Sequence, residues 1–160
     1  MEENTTLKKI RERFGDVVLS THSRLGEDTV VIARSAIVEL AQFVRDDPEL
    51  QFDMLIDLTA VDYWQREPRF EVVYHLLSLP FRKRLRIKVP VGEKDLEVDT
   101  LCSVWNAANW YEREAYDMFG IRFRGHPDLR RILMYPEFEG HPLRKDYPIN
   151  KRQPLIGPRD

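Results

Sequence analysis

Apolar residues recur along the first 120 positions of the chain at spacings that predict both helices and strands. The clearest helical spacing lies in residues 35–47, between Ser35, which can open a helix, and Pro48, which ends one. The apolar positions of this segment are Ile37, Leu40, Ala41 and Val44. Because they follow the i, i+3, i+4, i+7 pattern, they predict an amphipathic helix that turns Leu40 and Val44 toward a core.

Two further helices are predicted, one near the start of the chain and one before residue 120. Thr6 can cap the first helix and Gly15 can stop it, while Asn106 can cap the last helix and Gly120 can end it. Their apolar faces are Leu7, Ile10 and Phe14 in the first helix and Ala108, Tyr111, Ala115 and Met118 in the last. Each helix therefore has one face to bury against a sheet.

Strict alternation of apolar and charged residues in residues 84–91 predicts a strand with one buried face. Its inward positions are Leu85, Ile87, Val89 and Val91, and its outward positions are Arg84, Arg86 and Lys88. Four more segments are predicted as strands: residues 16–20, 29–33, 52–63 and 69–79. The first two of these form a hairpin across the turn-rich residues 23–28.

The predicted order of elements is α-β-β-α-β-β-β-α, followed by a tail. This order predicts an α+β fold, a two-layer sandwich with the helices on one face of a mixed, mostly antiparallel sheet. The sequence contains neither G-x-G-x-x-G nor G-x-x-x-x-G-K-[ST], so we expect no binding of dinucleotides or nucleoside triphosphates. We divide the chain into a scaffold domain, residues 1–120, and an extended C-terminal tail that binds a partner, residues 121–160.

The tail differs from the scaffold domain in both pattern and charge. Residues 121–160 show no apolar period, yet they contain aromatic residues and six of the ten prolines. They hold 9 Lys and Arg against 5 Asp and Glu (net +4), whereas residues 1–120 hold 16 against 22 (net -6). A non-periodic segment with apolar surface to bury predicts a strap that becomes ordered on an acidic, grooved partner.

Composition indicates one domain of 160 residues, with 42% hydrophobic and 32% charged residues. The single cysteine, Cys102, excludes an internal disulfide and supplies too few thiolates for an iron–sulfur cluster, and it fits a reducing, cytosolic setting. No apolar run of about 18 residues occurs, and the N-terminus lacks the apolar region of a secretory signal. We therefore expect any association with a membrane to be indirect, through a partner.

The last predicted helix carries the charged residues Glu112, Arg113, Glu114 and Asp117. Paired carboxylates such as Glu114 and Asp117 could serve a free-standing acid–base enzyme. The interpretation that we favour is an ion network in which Arg113 neutralises the acids, because no histidine or nucleophile lies nearby in the sequence. The Glu-x-x-His pattern of di-iron helices is absent.

A Gly-His-Pro motif followed by leucine and two basic residues occurs twice in the tail. The first copy carries His126, Arg130 and Arg131, and the second carries His141, Arg144 and Lys145. Proline restricts the histidine before it, so each copy should present an imidazole from a rigid turn. A metal site would need further ligands that nothing supplies, and we favour hydrogen bonds to the carboxylates and carbonyls of a partner.

The basic segment around the alternating strand could instead bind nucleic acid. It contains Arg82, Lys83, Arg84, Arg86 and Lys88. We favour a solvated sheet face and expect no nucleic-acid partner, because the sequence pI is about 6.1 and no RNA-binding signature is present. Trp64, Trp105 and Trp110 are then core or interface anchors.

Several motifs together resemble the C subunit of the proton-pumping NADH-quinone oxidoreductase, respiratory complex I, which forms the thirty-kilodalton subunit family. They are Glu-Arg-Glu at 112–114, Asp-Met-Phe-Gly-Ile at 117–121, Gly-His-Pro-Asp-Leu-Arg-Arg-Ile-Leu at 125–133 and Glu-Gly-His-Pro-Leu-Arg-Lys-Asp-Tyr-Pro at 139–148. Residues 57–63 and 73–76 also resemble strand segments of the family. Many members read Met-Pro-Glu-Asp-Trp where this chain has Met-Tyr-Pro-Glu-Phe at 134–138.

The resemblance implies a structural subunit of the peripheral arm, without a catalytic site in this chain, at the cytoplasmic face of the bacterial inner membrane. FMN, iron–sulfur clusters and quinone would belong to other subunits. The tail would wrap around the D subunit, which helps to form the quinone pocket, and the equivalent subunit of a membrane-bound hydrogenase or photosynthetic NDH complex is the alternative. The expected partner-binding residues are Glu112, Arg113, Glu114, Asp117, His126, Arg130, Arg131, His141, Arg144, Lys145, Asp146 and Tyr147.

Overall fold

The structure is a computed structural model that describes residues 5–157, and it contains three helices and seven strands within that range. The helices are α1 (Thr5–Phe14), α2 (Ile37–Asp46) and α3 (Ala108–Phe119). The strands are β1 (Val18–Arg24), β2 (Glu27–Ile32), β3 (Met54–Asp62), β4 (Phe70–Ser78), β5 (Lys83–Val91), β6 (Glu97–Asp99) and β7 (Arg122–Arg124). None of the helices in this range has both the length and the apolar character that crossing a bilayer requires.

Five strands form the main sheet in the order β1-β2-β5-β4-β3. The pairing of β2 with β5 is parallel, and the other three pairings are antiparallel. The remaining strands, β6 and β7, form a small parallel pair. The predicted α+β class with a mixed, mostly antiparallel sheet is therefore confirmed.

One face of the main sheet builds the core together with the helices. Val30, Ile87, Tyr74 and Leu58 lie in register across four strands, and all are almost completely buried. The helices contribute Leu7, Ile10, Phe14, Ile37, Leu40, Ala41, Val44, Ala108, Ala115, Met118 and Phe119 to the same cluster. Leu40 and Val44 are fully buried, as the helical spacing predicted.

The hairpin of β1 and β2 is confirmed, but its turn is shorter than predicted. Leu25 and Gly26 form it, with φ of 54° and 78°. Positive φ at both central positions is typical of the type I′ turn that joins twisted antiparallel strands. The first strand begins later than predicted, because Gly15–Val17 forms a 3-10 turn after α1.

The three predicted N-caps are wrong, whereas the predicted helix end at Gly120 is confirmed. Thr6 lies inside α1, and the residues before α2 and α3 are Ala36 and Ala107, neither of which makes a side-chain cap bond. A 3-10 turn, Arg34–Ala36, leads the chain into α2 and takes the place of a cap. Gly120 has φ 79°, and its N–H donates to the Tyr116 carbonyl at 2.8 Å.

Two of the three outward residues of β5 are paired with carboxylates of neighbouring strands. Arg86 lies 2.5 Å from Glu27, and Lys88 lies 2.8 Å from Glu71. Because their charge is compensated on the sheet itself, this face supports the interpretation of a solvated surface over a phosphate-binding one.

The beginning of the tail belongs structurally to the body. Ile121 and Phe123 are buried in the core, and β7 pairs with β6 through Phe123 and Val98. Beyond β7, the tail has no helix or strand up to residue 157, and it runs back across α3. The division of the chain at residue 120 therefore stays a prediction about folding units, and the observed contacts place residues 121–124 with the body.

Candidate functional site

Both Gly-His-Pro motifs of the tail bind backbone carbonyls of α3. The His126 Nε2 lies 3.0 Å from the Asn109 carbonyl oxygen, and the His141 Nδ1 lies 2.9 Å from the Asp117 carbonyl oxygen. Burial lowers the pKa of His141. The two histidines thus attach the tail to its own helix, where we had expected hydrogen bonds to a partner.

Asp117 is the anchor of the first half of the tail. This completely buried carboxylate accepts hydrogen bonds from the backbone N–H groups of residues 132, 133 and 134 at 2.8 to 3.1 Å. It also accepts one from Arg131 Nη1 at 2.6 Å. Burial would raise the pKa of Asp117, but these donors outweigh burial and lower it. The site orders the backbone of residues 131–134.

Glu112 is also completely buried, but it binds the loop before α3. Its carboxylate accepts hydrogen bonds from the Leu101 N–H at 2.7 Å and from the Thr100 hydroxyl at 2.5 Å, and the Cys102 thiol lies 3.5 Å away. Burial raises the pKa of Glu112 more than these donors lower it. Glu112 is therefore a structural acceptor that fixes residues 100–102.

The predicted ion network within α3 is wrong. Arg113 does not neutralise the acids of its helix but donates to the carbonyl oxygens of Arg130 and Arg131, at 3.1 and 3.2 Å. Glu114 is exposed to solvent. The reason is the direction of each side chain around the helix: Glu112 and Asp117 point into the protein, whereas Arg113 lies beneath the tail.

Among residues 5–157, folding also brings together a cluster of three side chains that could ligate a metal ion, which the sequence did not suggest. Ligand atoms of Cys102, Glu112 and His126 lie within 4.8 Å of one another. The His126 Nδ1 accepts the Asp128 N–H at 3.0 Å, so its hydrogen sits on Nε2 and points at the Asn109 carbonyl. Burial raises the pKa of the Cys102 thiol to about 11. With its histidine nitrogens engaged and its thiol protonated, the cluster fits a hydrogen-bonded network better than a metal site.

The second half of the tail binds a buried ion pair where β3 ends and β4 begins. Arg69 donates from Nε and Nη2 to Asp62, at 2.9 and 2.8 Å, and also donates to Asp146 of the tail at 2.9 Å. The Lys145 N–H donates to the same Asp62 carboxylate at 2.8 Å. The side chains of Arg69 and Asp62 are 5% and 0% exposed. We call Asp62, Arg69 and Asp146 the tail latch.

Sequence reasoning missed Asp62 and Arg69. The only signal was the presence of two opposite charges at the facing ends of predicted strands, and the hairpin register pairs Asp62 with Phe70, next to Arg69. The distance of 77 residues between Arg69 and Asp146 leaves no periodic trace in the sequence.

Arg144 connects the tail to the C-terminal end of α3. Its Nε donates to the Phe119 carbonyl at 2.6 Å, and its guanidinium lies over the Phe70 ring, 5.3 Å from the centroid. A Cβ at Gly120 would lie 2.7 Å from Arg144 Nη2 and from the His141 ring. Gly120 therefore serves both the positive φ of the helix end and this close approach.

Aromatic residues of the tail pack on one another. The Phe138 ring stacks on Tyr147 with centroids 6.1 Å apart, and Tyr135 meets Phe138 edge to face at 5.6 Å. Gln153 donates to the Tyr147 hydroxyl at 2.5 Å. Residues 134–138 have their proline at a different position from many members of the family that the sequence resembles. In this segment Phe138 packs between Tyr135 and Tyr147 and so stabilises the tail.

Among the predicted partner-binding residues, only some face outward. Glu114, Arg130, Lys145 and Asp146 are exposed. Arg130 pairs with Asp128 at 2.9 Å on the surface, and Asp146 also reaches Arg69 in the tail latch. The others make the internal contacts described above. Their role toward a partner stays a prediction.

Comparison with known proteins identifies the family. Residues 30–153 match the family model described as respiratory-chain NADH dehydrogenase, 30 Kd subunit. The chain belongs to this family. The C subunit of the NADH-quinone oxidoreductase of Geotalea uraniireducens is 49% identical over 158 residues, which cover 98% of this chain and 95% of that protein. The C subunit of the Geobacter sulfurreducens enzyme is 46% identical over 159 residues, covering 98% and 97%.

Solved structures also share the fold. The trypsin-resistant fragment (1–134) of Nqo5 is 35% identical with a TM-score of 0.66, and the match covers 78% of this chain and 96% of the fragment. A chain of the membrane-bound sulfane sulfur reductase, an archaeal respiratory membrane complex, is 26% identical with a TM-score of 0.75, covering 91% and 85%. The family expected from the motifs of residues 112–148 is thus confirmed.

Proposed function

We propose that the chain is a structural subunit of the peripheral arm of an NADH-quinone oxidoreductase of the complex I type. The observation that carries the proposal is the identity of 46–49% to C subunits of this enzyme over nearly the full length of both proteins. In this role the chain supports the transfer of electrons from NADH to quinone, coupled to proton translocation, without taking part in the redox steps.

The absence of a catalytic site in this chain is part of the proposal. Its support is the state of the pair that an acid–base enzyme would use, Glu114 and Asp117. The Asp117 carboxylate is completely buried and accepts four hydrogen bonds, so it offers no free edge toward a substrate, and the exposed Glu114 lacks an available second carboxylate. FMN, the iron–sulfur clusters and quinone are accordingly assigned to other subunits.

We further propose that the tail docks onto the D subunit, the one that helps to form the quinone pocket. Its net charge of +4 suits an acidic surface. The contacts with α3 and the tail latch mean that the tail meets its partner as a largely formed surface rather than as a free strap. The chain would lie at the cytoplasmic face of the bacterial inner membrane and reach the membrane only through the complex.

The alternative is the equivalent subunit of a related membrane complex, such as a membrane-bound hydrogenase or a photosynthetic NDH complex. The structural similarity to a chain of the sulfane sulfur reductase favours a fold shared among such complexes. The lower identity of that match, 26%, makes the NADH-quinone oxidoreductase the better assignment.

The test is purification of the tagged chain from its native membrane in mild detergent, followed by mass spectrometry. We expect the other subunits of NADH-quinone oxidoreductase, the D subunit included, in equal amounts, together with NADH–quinone activity that is lost when the chain is deleted. Recovery of the chain alone, or with hydrogenase subunits, would contradict the proposal.

A further inference from the structure

A groove lies between α3 and the tail, on the outward side of the anchored segment. It is lined by Arg113, Tyr116, Leu129, Arg130, Arg131 and Pro136 and encloses about 480 Å³. Its walls are fixed, because Arg113 binds the carbonyls of Arg130 and Arg131 while Arg131 binds Asp117 and the Gly140 carbonyl at 2.9 Å. The groove is therefore preorganised for a ligand.

The groove carries more positive charge than its own carboxylates balance. Arg131 is paired with the buried Asp117, and Arg130 pairs through its Nε with the exposed Asp128. Arg113 makes no ion pair within the described part of the chain and uses only Nε and Nη2 on carbonyl oxygens. Guanidinium N–H groups thus remain available for carboxylates, which arginine binds in a planar, often bidentate geometry.

An exposed aromatic side chain adjoins this charge. Trp110 is 66% exposed, and the Arg113 guanidinium lies 5.6 Å from the centroid of its ring. Tryptophan, tyrosine and arginine are the residues that contribute most of the binding energy in protein interfaces. Trp110, Tyr116 and Arg113 form such a combination along one side of α3.

We propose that this groove binds an extended acidic segment of a neighbouring subunit, with carboxylates on Arg113 and Arg130 and an apolar side chain against Trp110. The proposal rests on the proposed function, because it takes the neighbour from the same oxidoreductase complex. An extended peptide suits the groove better than an anionic lipid surface, since Arg113 and Arg131 turn inward to the walls rather than outward to a plane. The charge of the site selects an acidic segment over a neutral one.

Charge reversal in the assembled complex tests the electrostatic part. Arg130→Glu changes an exposed side chain whose only ion pair in the described range is with Asp128, so the fold should survive. We expect the affinity of the chain for the rest of the complex to fall at least about tenfold, with dissociation at lower salt. Arg122→Glu, an equal charge change at an exposed position of β7 outside the groove, is the matched control. Equal effects of the two variants would overturn the proposal.

Photo-crosslinking identifies the occupant. A benzophenone amino acid in place of Trp110, introduced into the intact complex, should give an adduct with a peptide of another subunit that contains at least two Asp or Glu residues. An adduct with a neutral or basic peptide, with a second copy of this chain or with lipid would overturn the groove assignment. If the wild-type chain does not purify with the oxidoreductase at all, the proposed function fails instead, so the two failures are distinguishable.

Discussion

Glu112 and Asp117 are completely buried carboxyl groups on one helix, and their surroundings shift their pKa values in opposite directions. For Glu112, burial is the larger effect and raises the pKa above 4.5. For Asp117, burial opposes a set of backbone donors and Arg131, and these lower the pKa below 3.8. The two groups therefore give opposite dependences of stability on pH.

The raised pKa of Glu112 predicts that its contribution to stability is fully present below pH 4.5 and decreases as the pH rises through its folded pKa. Glu112→Gln removes the titration but keeps a carbonyl acceptor for the Leu101 N–H. We expect the variant to gain stability relative to the wild type between pH 4.5 and 8, by about 1.4 kcal/mol for each pKa unit of the shift. Urea unfolding at both pH values measures this, with the exposed Glu114→Gln as control. A pH-independent difference would refute it.

The lowered pKa of Asp117 predicts a contribution that is present above pH 3.8 and is lost as the pH falls through the folded pKa. Asp117→Asn places an amide N–H₂ against the N–H donors that the carboxylate now accepts, and it leaves Arg131 without its carboxylate partner. We therefore expect the free energy of unfolding to fall by about 3–5 kcal/mol at pH 7. Urea unfolding of this variant, of Arg131→Gln and of the double variant provides the measurement. Strictly additive effects would show that the pair does not act as a unit.

At the scale of elements, residues that follow a period were predictable and residues that depend on distant partners were not. The spacing of Leu40 and Val44 and the alternation of β5 each define a buried face locally. Strands β6 and β7 have three residues each and exist through pairing with each other across 22 residues of chain, and three residues are too few for their alternation to indicate a strand. The starts of α2 and α3 were misplaced, because turns rather than polar caps lead into them.

In the candidate site, too, local motifs were predictable from the sequence and long-range contacts were not. The Gly-His-Pro motifs identified His126 and His141, but a motif does not specify its acceptor, and the acceptors are carbonyls of α3. Three of the four donors to the Asp117 carboxylate are backbone N–H groups, which carry no signal in the side-chain sequence. Long-range acceptors and backbone donors are therefore what sequence reasoning missed.

Helix α2 gives a direct test of the core at this scale. Leu40 is fully buried, so Leu40→Ala removes packing and leaves a cavity, and we expect a loss of about 2–5 kcal/mol in the free energy of unfolding. Gln42→Ala on the exposed side of the same helix should change stability by less than about 0.5 kcal/mol. Thermal or urea unfolding of both variants measures these two changes in stability. Equal stability of Leu40→Ala and wild type would mean that α2 presents a different face.

At the scale of the whole molecule, the tail is attached to the body at several places besides its two histidines. Asp117 holds residues 131–134, Arg144 contacts the end of α3, and the tail latch holds residues 145 and 146. A strap that depends on its partner would be cleaved by trypsin after each arginine and lysine of residues 125–150 in the free chain. The observed attachments predict protection of this region up to the aromatic cluster at Tyr147, followed by cleavage at the exposed Lys151 and Arg152.

The tail latch makes this prediction specific. In Asp146→Asn, Arg69 keeps Asp62 and Glu93 but loses its ionic contact with the tail, and the Asp146 side chain is 38% exposed. The change should therefore weaken attachment by about 1 kcal/mol at most, and cleavage after Lys145 should become up to about fivefold faster. Asp128→Asn, which removes a surface pair with Arg130, is the matched control and should leave that rate unchanged. The rates follow from mass spectrometry of timed digests of the free chain. If wild type and Asp146→Asn are cut after Lys145 equally fast, the latch is open in the free chain, and the order of the tail depends on its partner as the strap interpretation requires.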